Sequence, residues 1–367
     1  MANTAAQSIA LAARMQSNAL AAQQAQSFAS AAQAQALARR RSDSEWNFNV
    51  FEEDVDRSRR RKVVAACAAA ALVVLSLLRW RHKRPAIERL NGAVSSSARS
   101  VAAARALESE RPDALFVDPF AAFFAGRAFV ESVRQRARVD GRITVRTAFF
   151  DSQLLSALRL SPGAQVVLLG AGLDARAWRL QPPTGCPLCP LLVEIDRRDV
   201  AQAKAAALAS FPGGPPALTL AHRYQSLAVD LRRPGWEVAL QKEASHDPRI
   251  PTVWVLEGLL YYLPVETVDS VLRAAASVSA PGSSLLASVV NSAGVARARA
   301  NTRSSAMREF QSAVDDPASF FAARGWRMRL AARPGDESCS FGGRFPAPPP
   351  YEPDKPATWY VSASPDM

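Results

Sequence analysis

Gln165-Val166-Val167-Leu168-Leu169-Gly170-Ala171-Gly172-Leu173-Asp174 decides the fold of this 367-residue chain. A short run rich in Val and Leu, ended by glycines and followed by a helix-compatible segment, predicts strand–turn–helix. Glycines at such a turn let the backbone approach a ligand where a Cβ would collide. The amides that open the following helix then face an anionic or strongly polar group. This is the nucleotide-cofactor corner of an α/β sheet, and two cofactors fit it. Gly170-x-Gly172-x-x-Ala175 also spells the dinucleotide fingerprint, with Glu194 and Asp196 at the end of the next strand, Leu191-Leu192-Val193, to bind a ribose. The rest of the chain has to separate NAD from S-adenosylmethionine.

Outward from this corner, strands are predicted at 165–169, 191–195, 226–230, 252–256, 283–290, 326–331 and 358–362, mostly separated by helical segments. Helices are predicted upstream at 98–109 and 117–137, and Pro264 opens another through Leu272, with Pro early and apolar residues at helical spacing. Alternation of this kind implies a doubly wound, mostly parallel sheet with ligands at the carboxyl ends of its strands.

The net charge of +12 suggests a nucleic-acid binder until it is located. Residues 1–105 hold 16 Lys/Arg against 7 Asp/Glu, whereas residues 106–367 hold 29 against 26. The basic excess belongs to an N-terminal extension, and no basic stripe interleaved with aromatics follows it, so nucleic acid is not an expected partner. Residues 1–41 are dominated by Ala, Gln and Ser, with Arg14, Arg39, Arg40 and Arg41, scattered apolar residues such as Ile9, Leu11, Met15, Leu20 and Phe28, and no acid. That bias suits either an organelle-targeting peptide or a low-complexity disordered tail, so residues 1–62 read as a disordered or targeting extension. Val63 to Leu78 carries no charge and is flanked by Arg59-Arg60-Arg61-Lys62 and by Arg79-Trp80-Arg81-His82-Lys83-Arg84. Basic ends that snorkel and an interfacial Trp80 favour a single membrane anchor over 63–80, with a processed signal core as the alternative. The expected localisation is therefore membrane-anchored, in a plastid or mitochondrion, with the orientation open because both flanks are basic.

Four scattered cysteines make no disulfide framework. Cys186-Pro187-Leu188-Cys189 is a CxxC in a Pro-rich loop without a second pair, and none of His82, His222 and His246 forms a metal-type pair, so no metal site is expected.

The chemistry gathers at the strand ends. Gly170-Ala171-Gly172-Leu173-Asp174-Ala175-Arg176 follows the first strand, Glu194-Ile195-Asp196 the second, Asp230-Leu231-Arg232 the third, and Glu257-Gly258-Leu259-Leu260-Tyr261-Tyr262-Leu263-Pro264 the fourth, with Arg146-Thr147-Ala148-Phe149-Phe150-Asp151 upstream. S-adenosylmethionine needs a glycine turn, an acid for its ribose, a polar residue near the adenine amine and a charge partner for its carboxylate, and one candidate for each is present. A dinucleotide needs a second nucleotide half, and none is visible.

These motifs, together with Arg105-Ala106-Leu107-Glu108 and Asp118-Pro119, resemble the leucine carboxyl methyltransferase family from about Ala98 to Met367, in order and spacing, and above all its microbial-type S-adenosylmethionine-dependent methyltransferases. The resemblance implies a seven-stranded sheet of the class I methyltransferase type in residues 98–367, preceded by the N-terminal extension. It implies that Arg146 pairs with the cofactor carboxylate, that Gly170 and Gly172 lie beneath the methionine part, and that Asp196, with Glu194 beside it, holds the ribose. Asp230 and Leu231 would frame the adenine and Glu257 would hold the cofactor amino group. Glu257 also stands out unaided, because a carboxylate ending the apolar strand Thr252–Leu256 is costly without a partner. Two departures stand out: the family's Thr after Gly-Leu-Asp is Ala175, and a Pro expected shortly after Glu-x-Asp is replaced by Arg197-Arg198-Asp199.

The expected function is transfer of a methyl group to the carboxylate or hydroxyl of an unidentified small-molecule or protein acceptor. A carboxylate acceptor is already ionised and needs no base, so no catalytic residue is assigned. A hydroxyl would need one, with Tyr261, Tyr262 and His222 to consider. Residues 291–318, with Asn291, Arg297, Arg299, Asn301 and Arg303, are expected to cover the acceptor pocket. The alternatives are an NAD(P)-linked oxidoreductase on a Rossmann-like fold and a membrane-tethered protein that binds the cofactor without turnover.

Overall fold

The computed structural model describes residues 92–135, 141–182, 184–301 and 304–366. The apolar run that opened the analysis is β1 (Gln165–Leu169), buried along its whole length. Its side chains alternate between two cores: Val166 and Leu168 face one, Val167 and Leu169 the other. A strand buried on both faces belongs at the middle of a parallel sheet covered by helices on each side.

Around it lie β2 (Leu192–Asp196), β3 (Tyr224–Ala228), β4 (Thr252–Leu256), β5 (Ser284–Val290), β6 (Trp326–Ala332) and β7 (Thr358–Pro365). The sheet has seven strands in the order β3-β2-β1-β4-β5-β7-β6. Strands β1 to β5 pair in parallel, and β7 runs antiparallel to both of its neighbours, β5 and β6. The chain reverses direction across the sheet between β1 and β4, which opens a crevice at their carboxyl ends.

Helices α1 (Ala93–Ser109), α2 (Ala121–Ala125), α3 (Arg127–Gln135) and α4 (Gly141–Leu160) precede the sheet. With α5 (Arg176–Arg179) and α6 (Arg198–Ala209) they supply one core, where Phe149 and Phe150 pack on Tyr360. The opposite core is built by α7 (Trp236–Ala244) and α8 (Val265–Ser277) around Trp236, Trp254 and Trp326, each at most 1% exposed. Then come α9 (Ser292–Arg299), α10 (Ser305–Arg308) and α11 (Pro317–Ala322). The helix expected over 117–137 is two, α2 and α3, because Gly126 between them takes φ +83° and turns the chain.

The membrane-anchored localisation expected from residues 63–80 is corrected: no helix among the described residues is long and apolar enough to cross a membrane. Segment 63–80 itself, like the extension 1–62, lies outside the described residues.

The second core contains a buried titratable group. His246 is 4% exposed, its Nε2 lies 2.9 Å from Thr252 Oγ1, and its ring stands beside Trp254. Burial pushes its pKa down to about 4. The unfolded chain therefore takes up a proton near pH 6.5 that the folded chain refuses until about pH 4, so stability present above pH 6.5 is lost as the pH falls through this window. Between pH 7.5 and 5 the wild type is expected to lose about 2 kcal/mol more stability than His246→Asn. Parallel urea titrations at the two pH values measure this, and identical losses in the two proteins would refute it.

Candidate functional site

The crevice at the carboxyl ends of β1, β2 and β4 is a cleft roofed by α1, which contributes Ser97, Ala98, Val101 and Arg105. Its floor is the glycine turn. Gly170 adopts φ +65°, and its amide donates to Ile195 O at 2.8 Å, tying the turn to β2. A Cβ at Gly170 would stand 2.7 Å from Leu259 Cδ1, so a side chain there would have to displace the Leu259 side chain as well as adopt the left-handed backbone. Gly172, at φ +56°, aims its amide at Asp196 Oδ2 over 2.6 Å, and Asp196 Oδ1 accepts from the Arg197 amide at 2.7 Å. Burial raises the pKa of Asp196 despite these two bonds. A carboxylate clasped by two backbone amides beside a cleft keeps acceptor positions free for paired hydroxyls.

Glu194 does not join it. The two residues share a face of β2, but Glu194 lies one pleat deeper, beneath α6, and is not among the cleft-lining residues. Its Oε2 accepts from Lys204 Nζ at 2.6 Å and from the Tyr224 hydroxyl at 2.9 Å, while burial raises its pKa. This corrects the expectation of Glu194 beside Asp196 on a ribose: the structure gives it partners of its own, out of reach of the cleft.

Asp230 and Leu231 line the cleft beyond β3. Asp230 is gripped by Arg232, with Nε to Oδ1 at 3.0 Å and a terminal nitrogen to Oδ2 at 2.6 Å, which lowers its pKa.

At the other end, Arg146 of α4 and Glu257 after β4 meet, Nε to Oε1 at 2.8 Å. Arg146 also approaches the Tyr261 hydroxyl at 3.4 Å. Asp151, five residues further along α4, accepts from Arg176 and Arg179. Arg176, 1% exposed, joins Asp151, Asp174 and Glu257. Arg179 lies 3.6 Å from Asp118, which Arg105 holds at 2.8 Å. Four guanidinium groups and four carboxylates thus form one continuous, charge-balanced network, five of whose members, Arg105, Arg146, Asp174, Arg176 and Glu257, line the cleft. Burial opposes the charge on Glu257, but Arg176 and Arg146 outweigh it and hold its carboxyl below the usual range. Burial opposes that on Asp174 too, and Arg176 and Arg105 bring it down to about 2.

Both departures from the family pattern are accommodated locally. Ala175 caps α5 without a side-chain bond, and Asp174 Oδ1 takes the Arg176 amide at 2.6 Å instead. Arg197 supplies Asp196 with an N–H that a proline at that position would lack.

The segment 291–318 contributes Glu309 and Gln311 to the cleft, not its arginines. Arg299 donates to Phe310 O at 2.6 Å, and Asn291 is a buried cap for α9, so both shape the segment itself. Arg303 lies outside the described residues. Tyr261 and Tyr262 line the cleft and pack with Phe310, at centroid distances of 4.3 and 5.0 Å. His222 is exposed on the loop before β3 and does not line it. Among the described residues no group of His, Cys, Asp and Glu could hold a metal, and Cys189 is buried with its thiol pushed up to about 12.

The fit to S-adenosylmethionine rests on this donor set. The glycine turn takes positive φ at Gly170 and Gly172, where a side chain is strained, Asp196 can receive ribose hydroxyls, and an ionised Glu257 beside Arg146 can meet an ammonium and a carboxylate.

The leucine carboxyl methyltransferase family model matches residues 98–276. A protein of Mycobacterium sp. (strain JLS) described as "Putative S-adenosyl-L-methionine-dependent methyltransferase" is 35% identical over 287 residues, which cover 70% of this chain and 90% of that protein. One of the same description from Streptomyces avermitilis is 35% identical over 272 residues, 71% and 92% of the two chains. A crystal structure of a DUF574 family protein from Streptomyces avermitilis aligns with 73% of this chain and 96% of that one, at 15% identity and a TM-score of 0.44. The nicotinamide alternative finds no support in these relatives. With its motif residues gathered on one cleft and relatives matched over nine-tenths of their length, the chain belongs to the leucine carboxyl methyltransferase family and is an S-adenosyl-L-methionine-dependent methyltransferase.

Proposed function

We propose that this methyltransferase esterifies a carboxylate acceptor, a small molecule or a protein carboxyl group. The observation that supports it is the absence of a poised base: no histidine, lysine or cysteine lines the cleft among the described residues. Of its acids, Asp174 and Glu257 are committed to arginines, Asp230 to Arg232 and Asp196 to two backbone amides, and Glu309 is exposed on the outer segment. Burial and the neighbouring Tyr261 push the Tyr262 hydroxyl up to about 12, where it is no base at neutral pH. A hydroxyl acceptor would need its proton removed, whereas a carboxylate arrives ionised, and positioning alone then supplies catalysis.

S-adenosylmethionine, when bound, supplies a methyl group carried on a positively charged sulfur. In this reading Gly170 and Gly172 let the backbone lie against the methionine part, Asp196 takes the ribose hydroxyls, and Asp230 and Leu231 frame the adenine. Arg146 faces the cofactor carboxylate and Glu257 its ammonium. Tyr261, Tyr262 and Phe310 wall the acceptor side and keep water out.

Incubation with methyl-tritiated cofactor and separate panels of carboxylic acids, carboxyl-terminal peptides and phenols tests this. Product label is expected on carboxylates and to leave as volatile methanol in mild alkali. Label confined to alkali-stable ethers or amines would refute the assignment while leaving the methyltransferase intact.

A further inference from the structure

Arg176 is built into the fold as if its exact orientation mattered. Its Nε donates to Asp151 Oδ1 at 2.6 Å, one terminal nitrogen pairs with Asp174, and the other donates to Glu257 Oε2 at 2.8 Å. Two of these acids are themselves fixed. Asp151 receives both terminal nitrogens of Arg179, at 2.6 and 2.8 Å, and Asp174 accepts the Arg176 amide. The guanidinium plane is thus anchored on two edges, and the third edge points at Glu257.

Glu257 has little else to orient it. It ends β4, and Gly258 follows at φ +73°, where a Cβ would lie 3.2 Å from the Tyr261 hydroxyl and 3.3 Å from the Arg146 guanidinium. No side chain at 258 can buttress it. Its two oxygens are set instead by Arg146 on Oε1 and Arg176 on Oε2. Both arginines line the cleft, but Arg146 is 15% exposed and Arg176 only 1%, so Arg146 is the one available to a ligand and Arg176 has its donors taken up by the three carboxylates.

We infer that Arg176 is a positioning residue that locks the Glu257 carboxylate in the orientation that receives the cofactor's ammonium group. The inference rests on the assignment of Glu257 made above. The fork geometry is essential to it, since a lysine in the same place keeps the charge but cannot span three carboxylates in one plane.

Calorimetric titration of the full chain with three ligands tests this. S-adenosylhomocysteine carries the ammonium and the carboxylate, its decarboxylated analogue only the ammonium, and 5′-methylthioadenosine neither. Arg176→Lys is expected to weaken both ammonium-bearing ligands at least ~10-fold while 5′-methylthioadenosine changes by less than about twofold. Arg179→Lys, similarly buried and joined to the same Asp151 but not to Glu257, is expected to keep the wild-type ratios. If Arg176→Lys does not fold, Asp151→Asn loosens the Nε anchor and is expected to lower the same ratios about threefold. Equal losses for all three ligands, or the same pattern in Arg179→Lys, would overturn the positioning role and leave a structural arginine. A wild type that does not prefer the decarboxylated analogue over 5′-methylthioadenosine, with Glu257→Gln no different, would overturn the Glu257 assignment and this inference with it.

Discussion

Arg176→Met is expected to cost about 3–5 kcal/mol of folding stability, a large share of the total for a domain of this size. Methionine matches the stem of the arginine but leaves Asp151, Asp174 and Glu257 facing a gap, with three guanidinium groups for four carboxylates. Asp151 keeps Arg179 and Glu257 keeps Arg146, whereas Asp174 loses its direct ion-pair partner. With Arg176 and its three acids at most 12% side-chain exposed, water cannot screen the imbalance. Urea unfolding at pH 7.5 measures the loss. A change below about 1 kcal/mol would mean that the network tolerates a missing member and that its charges are solvated after all.

Asp196→Ala is expected to weaken S-adenosylhomocysteine binding on the order of a hundredfold. Two ribose hydroxyls donating to a charged acceptor are worth about 3 kcal/mol together at the low end of such bonds, and this converts to roughly that factor. The substitution also releases the Gly172 and Arg197 amides, so the thermal melt is recorded alongside to separate misfolding from lost affinity. Unchanged affinity in a folded variant would remove Asp196 from the ribose and leave the cofactor itself in place. A Glu194→Gln variant is the informative contrast. Its carboxylate faces Lys204 and Tyr224, so it is expected to alter stability and spare binding.

All seven strands were legible in the sequence to within three residues at either end, because apolar runs between helical segments have few other places to go. The largest displacement at a strand start, β3 at Tyr224–Ala228 instead of 226–230, has a physical cause. This edge strand begins with half-buried Tyr224 and Gln225 and exposed Ser226, so apolar patterning placed it too late. That the glycine turn, Asp196, Arg146 and Glu257 gather on one cleft was legible because each ends a strand or stands in a motif. The arginine–carboxylate network was not. Its members come from positions 105 to 257, and only the crossing of α4, α5 and the β4 loop makes Asp151 a neighbour of Arg176 and not of Arg146. Glu194 was misplaced for a related reason: strand alternation gives the face a side chain points to, not how deep a covering helix such as α6 makes that face.

The antiparallel insertion of β7 sets an order of events during synthesis. β6 touches the sheet only through β7, yet β7 is made later, so β6 leaves the ribosome before the strand that seats it exists. Until Thr358–Pro365 emerges, β5 presents a bare edge and Trp326, fully covered in the finished fold, lacks part of its cover. The last strand is therefore a latch. A nascent chain stalled before it carries an open edge that other chains can pair with, and the arrival of β7 covers that edge and seats β6 in one step.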